Sequence, residues 1–351
     1  MTLSTVEAGA VLQRGLKNLW YPVCPSHLVA ERPVSMRRLG IKLAIWRDRS
    51  GTPRALEDHC PHRGAPLSQG LNLGDRLACP YHGIEVRCDG TVMRVPGSPG
   101  CALEGKRAAR SFHMQEAHGA IWLYNSAVNI DTPPPLQLPQ ELTGAEYSHF
   151  LCYTEWRGDY RYVIDNVMDP MHGTFLHKQS HSMAEGGIGA KFQIRQTEHG
   201  FVFEKEGQRD VNFDWTEWGD TGTHWMRLEI PYPKTGGPGG NFIIIGSYTP
   251  IAPNLAAVFF WRCRKVEGWQ RNVWRFLYRN RLDGGAPLDR ARTRPRDDGS
   301  DGAGRKPARA FVRARCRAGA AAAAFARLGR EGTCGGAGDT ESGLSQDRHP
   351  R

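Results

Sequence analysis

Cys60-Pro61-His62-Arg63-Gly64 and Cys79-Pro80-Tyr81-His82-Gly83 decide how this 351-residue chain is read. Each sets a cysteine, a proline, a histidine and a glycine within five residues, and sixteen residues separate His62 from Cys79. Two thiolates and two imidazoles on paired turns can hold a zinc ion or a [2Fe–2S] cluster. Small zinc modules usually present C-x2-C or H-x3-H pairs, and the single residue between Cys60 and His62 is tight for tetrahedral closure on one ion. The order Cys, His, Cys, His suits a cluster in which one iron takes both sulfurs and the other both nitrogens.

From Trp20 to Tyr124, around these turns, short apolar runs alternate with Gly, Pro and Asp. Lys42-Leu43-Ala44-Ile45-Trp46 reads as a half-buried strand, and Asp89-Gly90 predicts a hairpin turn. A small antiparallel β domain is expected. A linker stiffened by Pro133-Pro134-Pro135 should follow. Beyond it, Tyr160, Val163, Ile164, Val167 and Met168 recur at helical spacing until Pro170 interrupts them. Strand-like stretches come next at AKFQIRQ, GFVFEKEG, THWMRLEIPYP, NFIIIGSYTP and AAVFFWRCRKV, then a helix, WQRNVWRFLYRNRL. A helix, a sheet and a second helix predict an α+β layer domain.

CPHRGAPL followed by CPYHG closely resembles the Rieske signature, and VPGSPG (Val95 to Gly100) resembles the proline-containing loop that covers the cluster. The resemblance implies that Cys60 and Cys79 ligate one iron and His62 and His82 the other. Neutral imidazoles in place of thiolates raise the potential to about −150 to +300 mV, well above plant-type ferredoxins. Backbone N–H groups of the Gly-rich turns would tune it further.

A second string, Asn166 to His177, reads N-x2-D-x2-H-x4-H. His172 and His177 are five apart, about 140° around an ideal helix, so only a break near Pro170 and Gly173 aims both at one point. The string resembles the mononuclear iron motif of Rieske ring-hydroxylating oxygenases. By that resemblance His172 and His177 bind Fe(II) with one later carboxylate, a 2-His-1-carboxylate triad. Asp169 matches the carboxylate that bridges to a Rieske histidine of the neighbouring subunit, and Asn166 sits near the iron without ligating it.

The resemblance runs from about Leu16 to Leu282 and points to the compact branch of aryl O-demethylases, phthalate-type and toluenesulfonate-type oxygenases. It implies an α+β chain: a small antiparallel β Rieske domain (16–125), a Pro-rich linker (126–146) and a helix-grip (START-like) catalytic domain (147–282). The implied function is a terminal oxygenase, assembled as a homotrimer. A flavin and iron–sulfur reductase would bring it electrons from NAD(P)H, and O2 would be activated beside an aromatic substrate for hydroxylation or O-demethylation. A Rieske electron-transfer protein without a working oxygenase site is the alternative, and a zinc-binding interaction module a more distant one.

The third iron ligand is missing from its expected place. Asp289 and Asp297 are the nearest carboxylates after the last helix, with no apolar stripe around them to aim either at a metal. Composition breaks at the same point: residues 283–351 hold six Val, Ile, Leu, Met, Phe, Trp or Tyr, against 26 in the preceding 69. Two readings stand. Out-of-frame translation from about Asp283 fits, because a one-base shift can turn 287–299 into an amphipathic helix with a carboxylate. A genuine Ala- and Gly-rich tail, predicted disordered because it has little to bury, also fits. Either way the cluster is expected to assemble and oxygenation to be impaired.

The tail also supplies half of the +10 net charge, with nine acids interspersed, so the basic balance does not imply a nucleic-acid partner. Nine unevenly spread cysteines argue against a secreted disulfide framework. No apolar run approaches the ~20 residues of a membrane span, and the N-terminus lacks the pattern of a signal peptide. A cytoplasmic location is expected.

Overall fold

The computed structural model describes residues 5–176, 189–207, 214–230 and 241–277. A helix absent from the sequence reading, α1 (Thr5–Gln13), precedes eleven short strands. They are β1 (Trp20–Pro25), β2 (Val34–Arg38), β3 (Ile41–Arg47), β4 (Pro53–Glu57), β5 (Leu71–Asn72), β6 (Arg76–Ala78), β7 (Glu85–Arg87), β8 (Val92–Arg94), β9 (Ser111–Phe112), β10 (Met114–Ala117) and β11 (Ala120–Tyr124). They form antiparallel sheets of order β1-β11-β10, β2-β3-β4-β9 and β5-β6-β7-β8.

The predicted turn at Asp89-Gly90 joins β7 to β8, with Gly90 at φ +89°. A Cβ there would stand 2.0 Å from the Ala109 carbonyl oxygen, so only glycine fits. Strand β3 corrects the half-buried reading. Leu43 and Ile45 pack into one apolar layer while Ala44 and Trp46 pack into another. The alternation is real, but both faces are covered, because Leu77, Val86 and Val92 of the cluster-turn sheet pack with Ala44 and Trp46.

Residues 126–146 are no free spacer. The Trp20 indole N–H donates to the Pro134 carbonyl at 2.9 Å, Leu136 and Leu138 pack on the core, and α2 (Gln140–Thr143) closes the segment.

The second part opens on a long strand, β12 (Tyr147–Arg157), then α3 (Tyr160–Met168) and α4 (Met171–Leu176). The strands β13 (Phe192–Thr197), β14 (Gly200–Lys205), β15 (Trp215–Asp220), β16 (His224–Ile230), β17 (Phe242–Ala252) and β18 (Leu255–Lys265) follow, then α5 (Gly268–Leu277). They build a seven-stranded antiparallel sheet of order β12-β18-β17-β16-β15-β14-β13. The first strand returns to pair with the last, from Tyr147 opposite Lys265 to Arg157 opposite Leu255. Period-two alternation gives the sheet two apolar faces. Trp218, Met226, Leu228, Tyr248 and Val258 meet Tyr160, Val163, Val167 and Met168 of α3.

The opposite face packs on the first part. Trp225, Ile245, Phe259 and Trp261 share one core with Trp20, Trp122 and Tyr124. Trp122 and Trp261 stack at 5.6 Å with 10° between planes. The Trp261 indole N–H donates to the His118 carbonyl, the Thr249 hydroxyl to the Pro22 carbonyl, and the Thr223 hydroxyl to the Trp20 carbonyl. Buried Arg38 donates to the Val23 carbonyl at 2.6 Å and to the Tyr153 hydroxyl at 2.7 Å. What the sequence divides into two domains is joined through a common core.

Tyr248 carries a test of this packing. Its side chain is buried under α3, and its hydroxyl finds no hydrogen-bond partner among the described residues. Deleting a buried, unpaired donor removes its desolvation cost, so Tyr248→Phe should stabilise the fold by about 1 kcal/mol. Thermal denaturation should show a midpoint raised by roughly 2–4 °C; a midpoint lowered by that amount would mean that the hydroxyl is paired.

Candidate metal centres

The duplicated sequence becomes a duplicated turn. The Cys60 N–H donates to the Ala65 carbonyl at 2.9 Å and the Gly64 N–H returns to the Cys60 carbonyl at 2.9 Å. In the second turn Cys79 N–H reaches the Ile84 carbonyl at 2.8 Å and Gly83 N–H the Cys79 carbonyl at 3.0 Å. Both closing glycines sit at positive φ, +74° for Gly64 and +69° for Gly83, where a β-carbon is strained. The first turn links β4 to β5 and the second links β6 to β7, so two sheets aim them at each other.

The side chains sort by element. Cys60 and Cys79 are 1% and 3% exposed and stand side by side in a core with Trp46, Leu67, Leu77 and Val92. His62 and His82 are exposed, with ring centroids 4.9 Å apart at 62°. The Tyr81 ring lies 4.0 Å from that of His82. Burial pushes the Cys60 thiol up, and hydrogen bonds from the His62 and Arg63 amides pull it the other way. Those amides are donors a metal-bound thiolate would use.

Two sulfurs on the buried side and two imidazoles on the exposed side fit a cluster that asks two protein ligands of each iron. One zinc ion would need all four donors to converge.

Asp58 holds the first turn in place. Its carboxylate accepts the Ser68 N–H at 2.8 Å, the Ser68 hydroxyl at 2.7 Å and the Ser35 hydroxyl at 2.7 Å. It ties the start and end of the turn to β2. Sequence reading passed over it, since nothing about a lone Asp two residues before Cys60 marks a three-way acceptor.

The second centre is described in part. Asp159 caps α3 by accepting the Arg161 N–H at 3.0 Å, and the helix ends at Asp169 (φ −89°, ψ 104°) because Pro170 excludes helical geometry before it. The Asp169 carboxylate then accepts the Met171 N–H at 2.8 Å and caps α4. His172 Nδ1 stands 2.5 Å from the Asp169 carbonyl oxygen. A carbonyl can only accept, so Nδ1 carries a proton; in the neutral ring the lone pair then lies on Nε2, the form a metal-binding imidazole takes. The expected break at Pro170 is present, and it links Asp169 to His172.

Asn166 is half-buried on α3. Asp165, one turn before Asp169, has its carboxyl pushed up by burial, with Arg161 opposing; sequence reading gave it no role. His177 lies outside the described residues, as do Asp289, Asp297, the tail predicted to be disordered and the last residues of the WQRNVWRFLYRNRL helix.

Other described cysteines and a histidine sit within the fold away from both centres. Cys24, Cys152 and Cys263 are buried, and burial pushes the Cys24 thiol up to about 12. The His113 ring bonds the Ile130 carbonyl. No helix among the described residues is long and apolar enough to cross a membrane.

Comparison with known proteins bears on both centres. Residues 19–107 match the Rieske [2Fe-2S] domain family, and residues 156–236 match the vanillate O-demethylase oxygenase C-terminal domain family. A vanillate O-demethylase oxygenase subunit of a Pseudomonas species is 33% identical over 170 residues, 47% of this chain and 46% of its own. The chloroacetanilide N-alkylformylase oxygenase component of Rhizorhabdus wittichii is 37% identical over 172 residues, 46% of this chain and 47% of its own. The chain thus spans about half the length of these relatives. Among solved structures, dicamba monooxygenase bound to dicamba superposes with TM-score 0.58 at 21% identity, over 76% of this chain and 84% of that one. The terminal oxygenase of carbazole 1,9a-dioxygenase from Nocardioides aromaticivorans gives 0.61 at 20% identity, over 79% and 83%. These likenesses bear on the fold.

Proposed function

We propose that this chain, which joins a Rieske [2Fe–2S] domain to a vanillate O-demethylase-type oxygenase domain, is the terminal oxygenase of a Rieske non-heme iron system acting on an aromatic compound. The doubled turn carries the reading, with its sulfurs buried, its imidazoles exposed and amides aimed at sulfur. Cys60 and Cys79 would hold one cluster iron, and His62 and His82 the other. His172, with His177, would hold the mononuclear iron.

Bound, the cluster supplies single electrons and the mononuclear iron a place to activate O2. The chain's own residues do the rest. His62 and His82 face solvent, where an electron-carrying partner can approach, while the sulfur side is kept dry. Asp169 fixes His172 in the Nδ1–H tautomer through its carbonyl and anchors α4 through its carboxylate. Homotrimer assembly, a flavin and iron–sulfur reductase as electron donor and a cytoplasmic location belong to the same proposal.

The alternative is a Rieske electron carrier, favoured by the composition break where the third ligand should follow. Iron quantification with electron paramagnetic resonance separates the two. A Rieske signal plus a further Fe(II) site supports the oxygenase. Cluster iron alone supports the carrier, and a colourless, zinc-containing protein sinks both. Impaired hydroxylation is the expected outcome for the chain as it stands, and near-normal turnover would refute it; the gene's nucleotide sequence checks the out-of-frame reading of residues 283–351 directly.

A further inference from the structure

Beyond β8 the chain leaves the sheet and returns at Gly105, whose N–H donates to the Val92 carbonyl at 2.8 Å. The excursion, Val95 to Glu104, contains Pro96, Gly97, Pro99 and Gly100, residues that bring little side-chain packing. Its two ends rest on the metal-centre core, since Val95 and Leu103 pack against the cluster of side chains that includes Cys60 and Cys79. Pro96 reaches further. Its Cγ lies 3.4 Å from the position a Cβ on Gly83 would occupy, and Gly83 follows His82. The loop therefore lies against the second metal-binding turn.

One side chain ties this loop together. The Glu104 carboxylate accepts the Val95 N–H at 2.6 Å through one oxygen and the Gly100 N–H at 2.9 Å through the other. The first bond fixes the start of the excursion and the second its far bend. Short backbone bonds, Ser98 N–H to the Val95 carbonyl and Cys101 N–H to the Ser98 carbonyl, shape only local turns between them. A carboxylate suits the task because both oxygens accept and the bonds are charge-assisted. Glu104 touches no candidate ligand itself.

We propose that Glu104 is a positioning residue that latches the Val95–Glu104 loop on Gly83 and on the apolar core around Cys60 and Cys79, and so governs solvent access to the sulfur side of the cluster. The inference rests on the cluster reading above. With the latch gone, Pro96 is no longer held on Gly83, Val95 and Leu103 lift from the core of Cys60 and Cys79, and water reaches the sulfur side. Reduction adds negative charge to the cluster, and added water stabilises that charge, so the midpoint potential rises.

The test compares Glu104→Ala and Glu104→Gln with the intact chain. Glutamine keeps the length and one accepting oxygen but turns an N–H donor toward the second amide, so it rescues in part. Cluster loss to a chelator, followed by visible absorbance, should quicken about tenfold in Glu104→Ala and less in Glu104→Gln. The potential should rise in the same order, and the paramagnetic resonance line shape should change. Amide exchange at Val95 and Gly100 should quicken in both variants whether or not iron is bound, with the thermal midpoint unchanged.

Wild-type exchange at those two amides, or wild-type cluster loss and potential in Glu104→Ala, would overturn the proposal. A wild-type protein with no Rieske signal would instead sink the cluster reading, and amide exchange would still report on the latch.

Discussion

Cys79→Ser is expected to abolish the visible colour and the Rieske paramagnetic signal outright, not to weaken them. Cys79 is 3% exposed beside Cys60, in a core of Leu67, Leu77, Ile84 and Val92. Serine nearly matches its volume, so the fold tolerates the change, but a neutral hydroxyl is a poor ligand for iron where a thiolate is needed. Losing a partner of a ligand typically costs 10–100-fold in metal affinity, and losing the ligand itself should cost more. Iron content per chain should fall by the cluster's share, measured against Cys88→Ser and Cys101→Ser, half-buried cysteines outside both turns that should keep full iron. Among the described thiols, Cys88 packs against the same core, and Cys88→Ser controls for it. Cys24 sits in a different core, protonated by burial. Retention of the signal in Cys79→Ser would overturn the assignment of the buried pair.

The cluster turns were legible in the sequence because their geometry is local. A Cys, a His and a Gly at fixed spacing suit a turn that closes on itself, and Gly64 and Gly83 supply the positive φ that closes it. Helix α3 was legible for the same reason, since Tyr160, Val163 and Val167 mark one face before a proline stop. Covering of β3 on both faces was not legible, because alternation reports which residues point together and not what lies opposite them. Long-range acceptors were invisible too: Asp58 gathers Ser35 and Ser68, and Glu104 gathers Val95 and Gly100, with no periodic signal in either case. At the second centre the string from Asn166 to His177 owed its meaning to resemblance. The geometry adds the link from Asp169 to His172, a contact of three residues that a helical wheel places poorly because Pro170 resets the turn.

The two parts share a core that the sequence does not reveal, and Trp261→Ala measures its weight. Trp261 belongs to β18 of the large sheet, yet it is fully buried against Trp122 of β11, and its indole N–H holds the His118 carbonyl at 2.8 Å. Truncating a fully buried Trp typically costs about 3–5 kcal/mol, and here the His118 carbonyl loses its donor as well. A thermal midpoint lowered by on the order of 10 °C is expected. The form of the transition matters more than its position. Two independent domains would lose stability only in the sheet that carries the mutation, leaving the Rieske part to melt at its own temperature. With a core shared by Trp20, Trp122, Tyr124, Phe259 and Trp261, cluster absorbance and far-ultraviolet dichroism should instead fall together in both proteins. Arg38, bonded to Val23 within its own part and to Tyr153 across the junction, ties the same seam with polar contacts. A Rieske turn mounted on so continuous a core cannot swing on the 126–146 segment within its own chain, so any change in its exposure must arise locally, in the loop that Glu104 holds.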